Sequence, residues 1–262
     1  FLNLAITADA AISANRTITA SGSTINADVE AVSTITGSTY TATISPGESP
    51  KSMPTSAVFD YYIANGTPIA YAVLPNSGKI ENVLLSHSST PYGATNQNGI
   101  YVISCGNQDV TIRDARIVGT LVLLDAGDGS TITKSVNWQP AVANYPSLLV
   151  RGKFTYELDT VALDESKAGV NFNPVGTAYK SVTDVDTADT YPSKLEGLFY
   201  ASSDVTIKTL NLKGVLVGGN NIDLKAAATL TYDETFKTTP PPGFKEPPVM
   251  VLSASSFRQV VD

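Results

Sequence analysis

The chain has 262 residues, with 24 acidic against 17 basic side chains and a net charge of −7. An acidic balance without any basic run excludes the clustered cations that hold a nucleic-acid backbone, and no apolar stretch reaches the ~18 residues of a membrane-spanning helix. Only 16% of residues are charged, against about 25% in an average soluble domain; Thr, Ser, Ala, Asn and Gly fill the difference, a profile that suits an extracellular β-rich protein. The length fits one elongated all-β domain or two ordinary ones, and is enough to bury a substantial core.

Residues 1–50 form a first, Ala-, Thr- and Ile-rich segment. Ile6, Ile12, Ile18, Ile25, Val29, Ile35 and Ile44 recur among small polar residues, and Thr39–Ile44 alternates as a half-exposed strand does. The segment reads as several strands at a sheet edge or at the start of a solenoid, or as a piece that orders against a partner. Ser45-Pro46-Gly47-Glu48-Ser49-Pro50 marks a turn and a boundary. Thr55–Asn65 is the best helix pattern: Thr55 or Ser56 caps it, Val58, Phe59, Tyr62 and Ile63 share a face, and Asn65-Gly66 ends it. Placed before the first regular coil, such a helix is expected to cover the solenoid's open end.

Strands are predicted at Ile80–Leu85, Gly99–Ile103, Val110–Ile112, Ile117–Leu124, Ile132, Leu148–Val150 and Phe154–Leu158. A phrase is written twice along this part of the chain. Gly99-Ile100-Tyr101-Val102 leads into Asp109-Val110-Thr111-Ile112-Arg113 and then Gly119-Thr120-Leu121-Val122-Leu123; Gly197-Leu198-Phe199-Tyr200 leads into Asp204-Val205-Thr206-Ile207-Lys208 and then Gly214-Val215-Leu216-Val217. Short apolar strands at this spacing, parted by Gly, Asn or Asp, are what a right-handed parallel β-helix needs for coil to stack on coil. The excursion 159–194, with Asn171-Phe172-Asn173-Pro174 and the Asp-rich 184–189, breaks the rhythm and reads as a large loop on one face. The solenoid region 51–239 ends at Pro240-Pro241-Pro242-Gly243, because three prolines cannot join a ladder. The last segment, 240–262, is a Pro-rich linker and tail in which Val249–Leu252 is one more apolar run.

Candidate chemistry is sparse. Cys105 is the one cysteine, so no intrachain disulfide forms; it reads as a small buried hydrophobe, an intermolecular disulfide or a nucleophile that would need the one histidine, His87, as base. His87 lies in Ser86-His87-Ser88-Ser89, without a Gly-x-Ser-x-Gly elbow, and reads as a loop residue. Asp125–Ser130 and Asp184–Asp189 are each a calcium loop or a polar turn, since neither has full EF-hand spacing. Arg113, Arg116 and Arg151 are the basic residues a polysaccharide lyase would use, but without a carboxylate cluster they read as solvated side chains on the outer face. Trp138, Tyr145, Tyr156, Tyr179 and Tyr191 form either a sugar platform or core packing. Metal binding by His and Cys is excluded by their number, and Gly218-Gly219-Asn220-Asn221 is a coil turn rather than a phosphate loop. Asn15-Arg16-Thr17 and Asn65-Gly66-Thr67 are allowed glycosylation triplets.

The stretch from Gly197 to Phe244 holds Gly-Leu-Phe-Tyr, Asp-Val-Thr-Ile, Gly-Val-Leu-Val-Gly-Gly-Asn-Asn-Ile-Asp-Leu, Leu-Thr-Tyr-Asp and Pro-Pro-Pro-Gly-Phe. It resembles the C-terminal part of bacterial envelope proteins related to PilX-type, pilin-like components, and residues 99–150 resemble it less tightly. The resemblance implies a secreted or surface-held structural protein of the type IV pilus or secretion-associated kind, with no catalytic residues to carry over. Phe1-Leu2-Asn3-Leu4 is followed by strand-like sequence, where a pilin would open with a long apolar helix. The expectation is therefore a non-enzymatic extracellular or cell-surface protein without cofactor or metal. It would form a homo-oligomer or filament through residues 1–45 and the solenoid ends, with pilus or surface components as further partners. The alternatives are a carbohydrate-binding or lyase-like β-helix and a surface adhesin.

Overall fold

The structure, a computed structural model, describes residues 12–25, 29–40, 43–50, 54–226, 228–233 and 235–244. The described residues open with β1 (Ile12–Ala14), β2 (Ile18–Ile25), β3 (Val29–Ala31), β4 (Ile35–Tyr40) and β5 (Ile44–Pro46). Helix α1 (Ala57–Asn65) follows, then β6 (Thr67–Ile69), a 3-10 turn at Tyr71–Val73, the short helical segment α2 (Pro75–Gly78) and β7 (Lys79–Ser86). Next come β8 (Ile100–Ser104), β9 (Thr111–Val118), β10 (Thr120–Leu124), β11 (Thr131–Lys134), β12 (Val136–Gln139), β13 (Pro146–Val150) and β14 (Phe154–Leu158). The excursion carries β15 (Leu163–Asp164), α3 (Glu165–Ala168) and β16 (Thr190–Tyr191). The last described elements are β17 (Lys194–Ala201), β18 (Val205–Gly218), β19 (Ile222–Leu224), β20 (Ala228–Thr231) and α4 (Thr235–Thr238).

Apart from the β15–β16 pair in the excursion, the strands pair in parallel, so the architecture is a β-helix-like coil with three walls. Wall 1 stacks β6, β8, β10, β13, the second half of β17 and the end of β18. Wall 2 stacks the first halves of β7 and β9, then β11, β14, the start of β18 and β19. Wall 3 holds the second halves of β7 and β9, β12, the start of β17, the middle of β18 and β20. Alternation along each strand sends one column inward. In wall 2 that column is Ile80, Ile112, Ile132, Tyr156, Ile207 and Leu224, all buried.

The corners explain the repeated phrase. A Cβ on Gly119 would collide with the carbonyl of Gly99, and one on Gly214 with the carbonyl of Gly197. The phrase therefore begins, each time, where two successive coils pass too close for a side chain. Wall 2 turns into wall 3 through a different device. Asn82, Asp114 and Lys134, with φ of 51°, 45° and 60°, hold the same left-handed corner in three coils. Two expectations shift accordingly. The apolar run at Ile117–Leu124 is two strands broken at Gly119, because its halves belong to different walls. Val136–Gln139, with too few apolar residues to stand out, is a wall 3 strand.

The N-terminal strands do lie at a sheet edge, but not at the start of the stack. β2 pairs with β19 at the opposite end, Ile18 on Ile222 and Ala20 on Leu224, and β4 continues outward on β2. β1, β3 and β5 form a separate three-stranded parallel ladder, β5 lying one turn beyond the coils of β2 and β4. The first described strands thus lie beyond the coil of β19, and the chain must return to the other end before β6.

Helix α1 makes that return along wall 1 rather than covering an end. Val58, Phe59 and Tyr62 are buried beneath it. Phe59 meets Tyr200 at 5.9 Å, and Gly66 sits against Val102 and Ile100 at the helix's other end. Tyr200, Leu149, Val122 and Val102 occupy one column of wall 1. Nine residues rise about 13.5 Å at ~1.5 Å each, close to three coil spacings of ~4.8 Å, so the helix reaches from one phrase to the other. A helix this short is marginal alone, and burial of three large side chains at about 1.5–3 kcal/mol each holds it. Ile63 is 39% exposed and lies off the buried face. The Pro-Pro-Pro-Gly-Phe segment clamps the helix from outside, Gly243 lying against Val58 and Phe244 against Tyr200 at 6.0 Å. Val249–Leu252 lies outside the described residues.

Candidate functional site

Wall 3 is roofed by the excursion, and two buried ionisable side chains organise the roof. Arg116 of β9 is 0% exposed, not solvated as its place on the outer face suggested. Its guanidinium donates to the carbonyls of Phe172, Thr177 and Ala178, the latter two at 2.9 Å. It lies over the rings of Tyr179 and Tyr191, at 5.3 and 5.6 Å. Leu84, Leu163, Phe172 and Tyr191 form a second small core beneath the roof. Glu165, also fully buried, accepts from the backbone N–H groups of Phe172 and Asp189 and from the Tyr191 hydroxyl at 2.8 Å. α3 forms because Asp164 caps it, accepting from the N–H groups of Ser166 and Lys167, and Gly169 stops it in the left-handed region at φ 68°. Further bonds tie the roof down: Ser135 donates to the Val161 carbonyl at 2.8 Å, Asn137 to the Pro192 carbonyl at 3.0 Å, and Ser86 and Ser88 both meet the Thr177 hydroxyl.

The two acidic stretches behave differently. In 125–130, Asp125 forms a two-pronged pair with Arg151, at 2.9 and 3.0 Å, and Asp128 pairs with Lys153 at 2.9 Å. The carboxylates of this turn are matched by cations of the next coil, which is the polar-turn reading. In 184–189, Asp184 and Asp189 converge instead on an amide: Asn173 Nδ2 donates to Asp184 Oδ2 at 3.1 Å and to Asp189 Oδ2 at 3.0 Å. Asn171 Nδ2 donates to the Asp184 carbonyl and to its Oδ1. Burial and the adjoining Asp184 carboxyl hold the Asp189 carboxyl above its ordinary range. Among the described residues no three His, Cys, Asp or Glu side chains converge as a metal-holding group.

The other candidates scatter. His87 is exposed on the turn after β7. Cys105 is 1% exposed, its thiol directed at the Ile103 carbonyl, and burial with Asp125 nearby pushes its ionisation up to about 12. Arg113 pairs with Glu81 and Asp114 at 3.5 and 3.1 Å. Trp138, Tyr156 and Tyr191 are buried, Tyr145 shares a 2.7 Å hydrogen bond with Tyr61 beside α1, and Tyr179 stacks edge-on to Tyr191 at 4.8 Å. These rings pack the core, the α1 seam and the roof instead of forming a platform. Asn65 Nδ2 donates to the Tyr61 carbonyl at the helix end, and Asn15 sits half-buried in the turn between β1 and β2.

With wall 1 under α1 and wall 3 under the excursion, wall 2 is the bare wall. Its outward column reads Lys79, Thr111, Thr131, Thr155, Thr206, Asp223, Thr19 and Thr36. This is a threonine ladder running nearly the length of the stack.

The two ends also differ. At the β6–β7 end, Leu74 is 5% exposed and Tyr71 and Tyr92 pack on the core. Tyr71 Oη donates to the Asp109 carbonyl at 2.7 Å, and Ile80 beneath is fully buried. At the β4–β5 end, no described strand pairs beyond β4 or β5; Ile35 and Tyr40 are half-buried and Ile44 is 45% exposed. No sequence signal marked Tyr71, Tyr92 or Glu165, since each acts through residues brought from another coil or turn.

No family model matches the chain, and no curated protein matches it. Among solved structures the chain is similar to an ice-binding protein from the Antarctic ascomycete Antarctomyces psychrotrophicus, at 10% identity over 88% of this chain and 98% of that one, with a TM-score of 0.32. A likeness at that level assigns no function.

Proposed function

We propose that the protein is a non-enzymatic structural protein of the extracellular space or cell surface, which associates through the β4–β5 end of its coil. The observation that carries this reading is the asymmetry of the ends. One is covered by Leu74, Tyr71 and Tyr92, while the other leaves Ile35, Tyr40 and Ile44 and the outer backbone groups of β4 and β5 without a strand beyond them among the described residues. An open strand edge over a partly exposed core is a template for pairing with another chain. Two copies meeting end to end about a two-fold axis satisfy both edges at once. The threonine ladder of wall 2, flanked by charges that are paired with one another (Glu81 with Arg113, Glu157 with Lys208), supports a structural role over a sugar cleft. The winding is taken as right-handed, the hand that parallel crossovers adopt. A place in a pilus-associated or other surface filament is the finer form of this proposal, and growth beyond a pair then uses a second contact.

The test is sedimentation velocity across a range of concentrations with electron microscopy of the same samples, on the wild type and Ile44→Asp. Removing residues 1–45 is the poorer experiment, because it uncovers β19 and creates a new edge. Association in the wild type and its loss in Ile44→Asp is the expected outcome. A wild type that stays monomeric at the highest concentration refutes the reading.

A further inference from the structure

We propose that Tyr61 and Tyr145 are an oxidative cross-linking site, at which a haem peroxidase supplied with hydrogen peroxide joins the two phenols through a carbon–carbon bond. Tyr61 stands on α1 and Tyr145 in the turn between β12 and β13, 84 residues further along the chain. Their hydroxyls share a hydrogen bond of 2.7 Å, and the ring centroids lie 6.0 Å apart at 89°. Both rings are half-buried and pack against the core, so they are held in place yet reached from solvent. Among the described residues this is the one pair of tyrosines whose hydroxyls meet. Tyr71, Tyr101, Tyr191 and Tyr200 donate instead to carbonyls or to a carboxylate, and Tyr62, Tyr92 and Tyr156 have buried hydroxyls without a hydrogen-bond partner.

Oxidation of a neutral phenol removes an electron and the hydroxyl proton together, so the proton needs an acceptor at hand. The Tyr61–Tyr145 bond supplies one, and that bond, with burial, pushes the Tyr145 hydroxyl up to about 12, which keeps it protonated until it is oxidised. Tyr62 lies edge-on to both rings, at 5.1 and 5.7 Å, but its hydroxyl has no acceptor and does not react. Each tyrosine gives up one electron and one proton and becomes a phenoxyl radical. The two radicals form one bond between the ring carbons beside their hydroxyls, and the hydrogens of those carbons move to the oxygens, which restores two phenols. The two electrons and two protons reduce one hydrogen peroxide to two waters. Because the rings already lie side by side, the coupling is a step within one chain rather than a collision between two. The product is a brace that this chain cannot make from sulfur, since Cys105 is its one cysteine, and it fixes α1 to the coil. The proposal rests on the extracellular reading for the source of the oxidant alone; the pairing of the rings is independent of it.

The test is treatment of the full chain, kept dilute, with a haem peroxidase and one equivalent of hydrogen peroxide, for the wild type, Tyr61→Phe and Ile44→Asp. Dityrosine fluorescence, intact mass and peptide mapping are read on the monomer. Tyr61→Phe keeps the ring and removes the hydroxyl; circular dichroism checks its fold, and Tyr145→Phe replaces it if the fold is lost. The expected result is the loss of two hydrogens per chain and a mapped link from Tyr61 to Tyr145, in the wild type and in Ile44→Asp alike, with a yield about tenfold lower or less in Tyr61→Phe. Closing a loop of 84 residues should raise the melting temperature by roughly 8–18 °C on chain-entropy grounds. Absence of dityrosine, coupling that maps to other tyrosines or only between chains, or an equal yield in Tyr61→Phe overturns the proposal, and a cross-link that leaves melting unchanged overturns its role as a brace. A wild type that fails to associate counts against the proposed function and leaves the cross-link standing.

Discussion

Replacing Arg116 by Met keeps most of the side chain's length and removes its charge and donors. Three carbonyls of the excursion, those of Phe172, Thr177 and Ala178, depend on this guanidinium. Charge-assisted bonds contribute about 1.5–3 kcal/mol each, so the gross loss is about 4.5–9 kcal/mol. Against it runs the desolvation of a fully buried cation, several kcal/mol, which the substitution relieves. The unpartnered Nε of Arg116 adds to that relief. What decides the sign is that the carbonyls stay behind without donors, and the net cost is expected at about 3–5 kcal/mol. It falls on the excursion, because the inward residues of β9, Ala115 and Ile117, are untouched. Hydrogen exchange reads this directly through the amides of Phe172 and Asp189, which donate to Glu165. At about 1.4 kcal/mol per decade, their exchange should quicken by about 10²–10³-fold, while amides of β10 and β11 keep their protection. A change below tenfold at Phe172 and Asp189 refutes the idea that Arg116 holds the roof. Equal loss in β10 would show instead that roof and coil unfold as one unit.

Two further perturbations test the coil itself. Gly214→Ala places a methyl against the Gly197 carbonyl at φ 151°, and strain plus overpacking should cost about 2–5 kcal/mol; thermal unfolding should fall by roughly 2–4 °C per kcal/mol, whereas Gly106→Ala, at φ 60° but with open space around it, carries only the backbone strain of about 1–2 kcal/mol, and equal shifts would sink the corner argument. Cys105, whose thiol ionises only near about 12, should resist a thiol reagent at pH 8 until the protein unfolds. Because its folded-state pKa is raised, its contribution to stability is fully present below the ordinary thiol range of about 8.5 and is lost as pH climbs toward 12, so unfolding midpoints should drop in alkali less steeply for Cys105→Ala than for the wild type.

The inward columns were legible because they rest on a local rule: Ile112, Ile132 and Ile207 sit two or three residues after a polar turn, in strands whose period shows in a few positions. The glycine corners were legible as repetition, though not as collision avoidance. Arg116 was misread for a reason that sequence spacing does not contain. Its strand position points outward, and only the fold-back of a loop some 50 residues downstream turns outward into buried. The same holds for Trp138, which reads equally as platform or core until its indole is seen donating to the Gly119 carbonyl at 3.0 Å. The placement of residues 12–46 was illegible for a deeper reason. Parallel ladders of Ile and Thr carry little partner identity, so β2 reads as well against β7 as against β19.

The order of stacking differs from the order of the chain, and that has an energetic consequence. Joining β2 to β19 directly closes a loop of roughly 200 residues, which on logarithmic scaling costs about 2 kcal/mol more than the closure of one ordinary coil. Helix α1 changes that arithmetic. Once Phe59 and Tyr62 dock on wall 1, with Gly243 against Val58 and Phe244 against Tyr200, the N-terminal strands hang from the stack by a tether of roughly 30 residues, and most of the added closure cost is gone. The helix that carries the chain back along the coil is therefore also what makes the far end a local contact, and it leaves β4 and β5 as the outermost strands among the described residues.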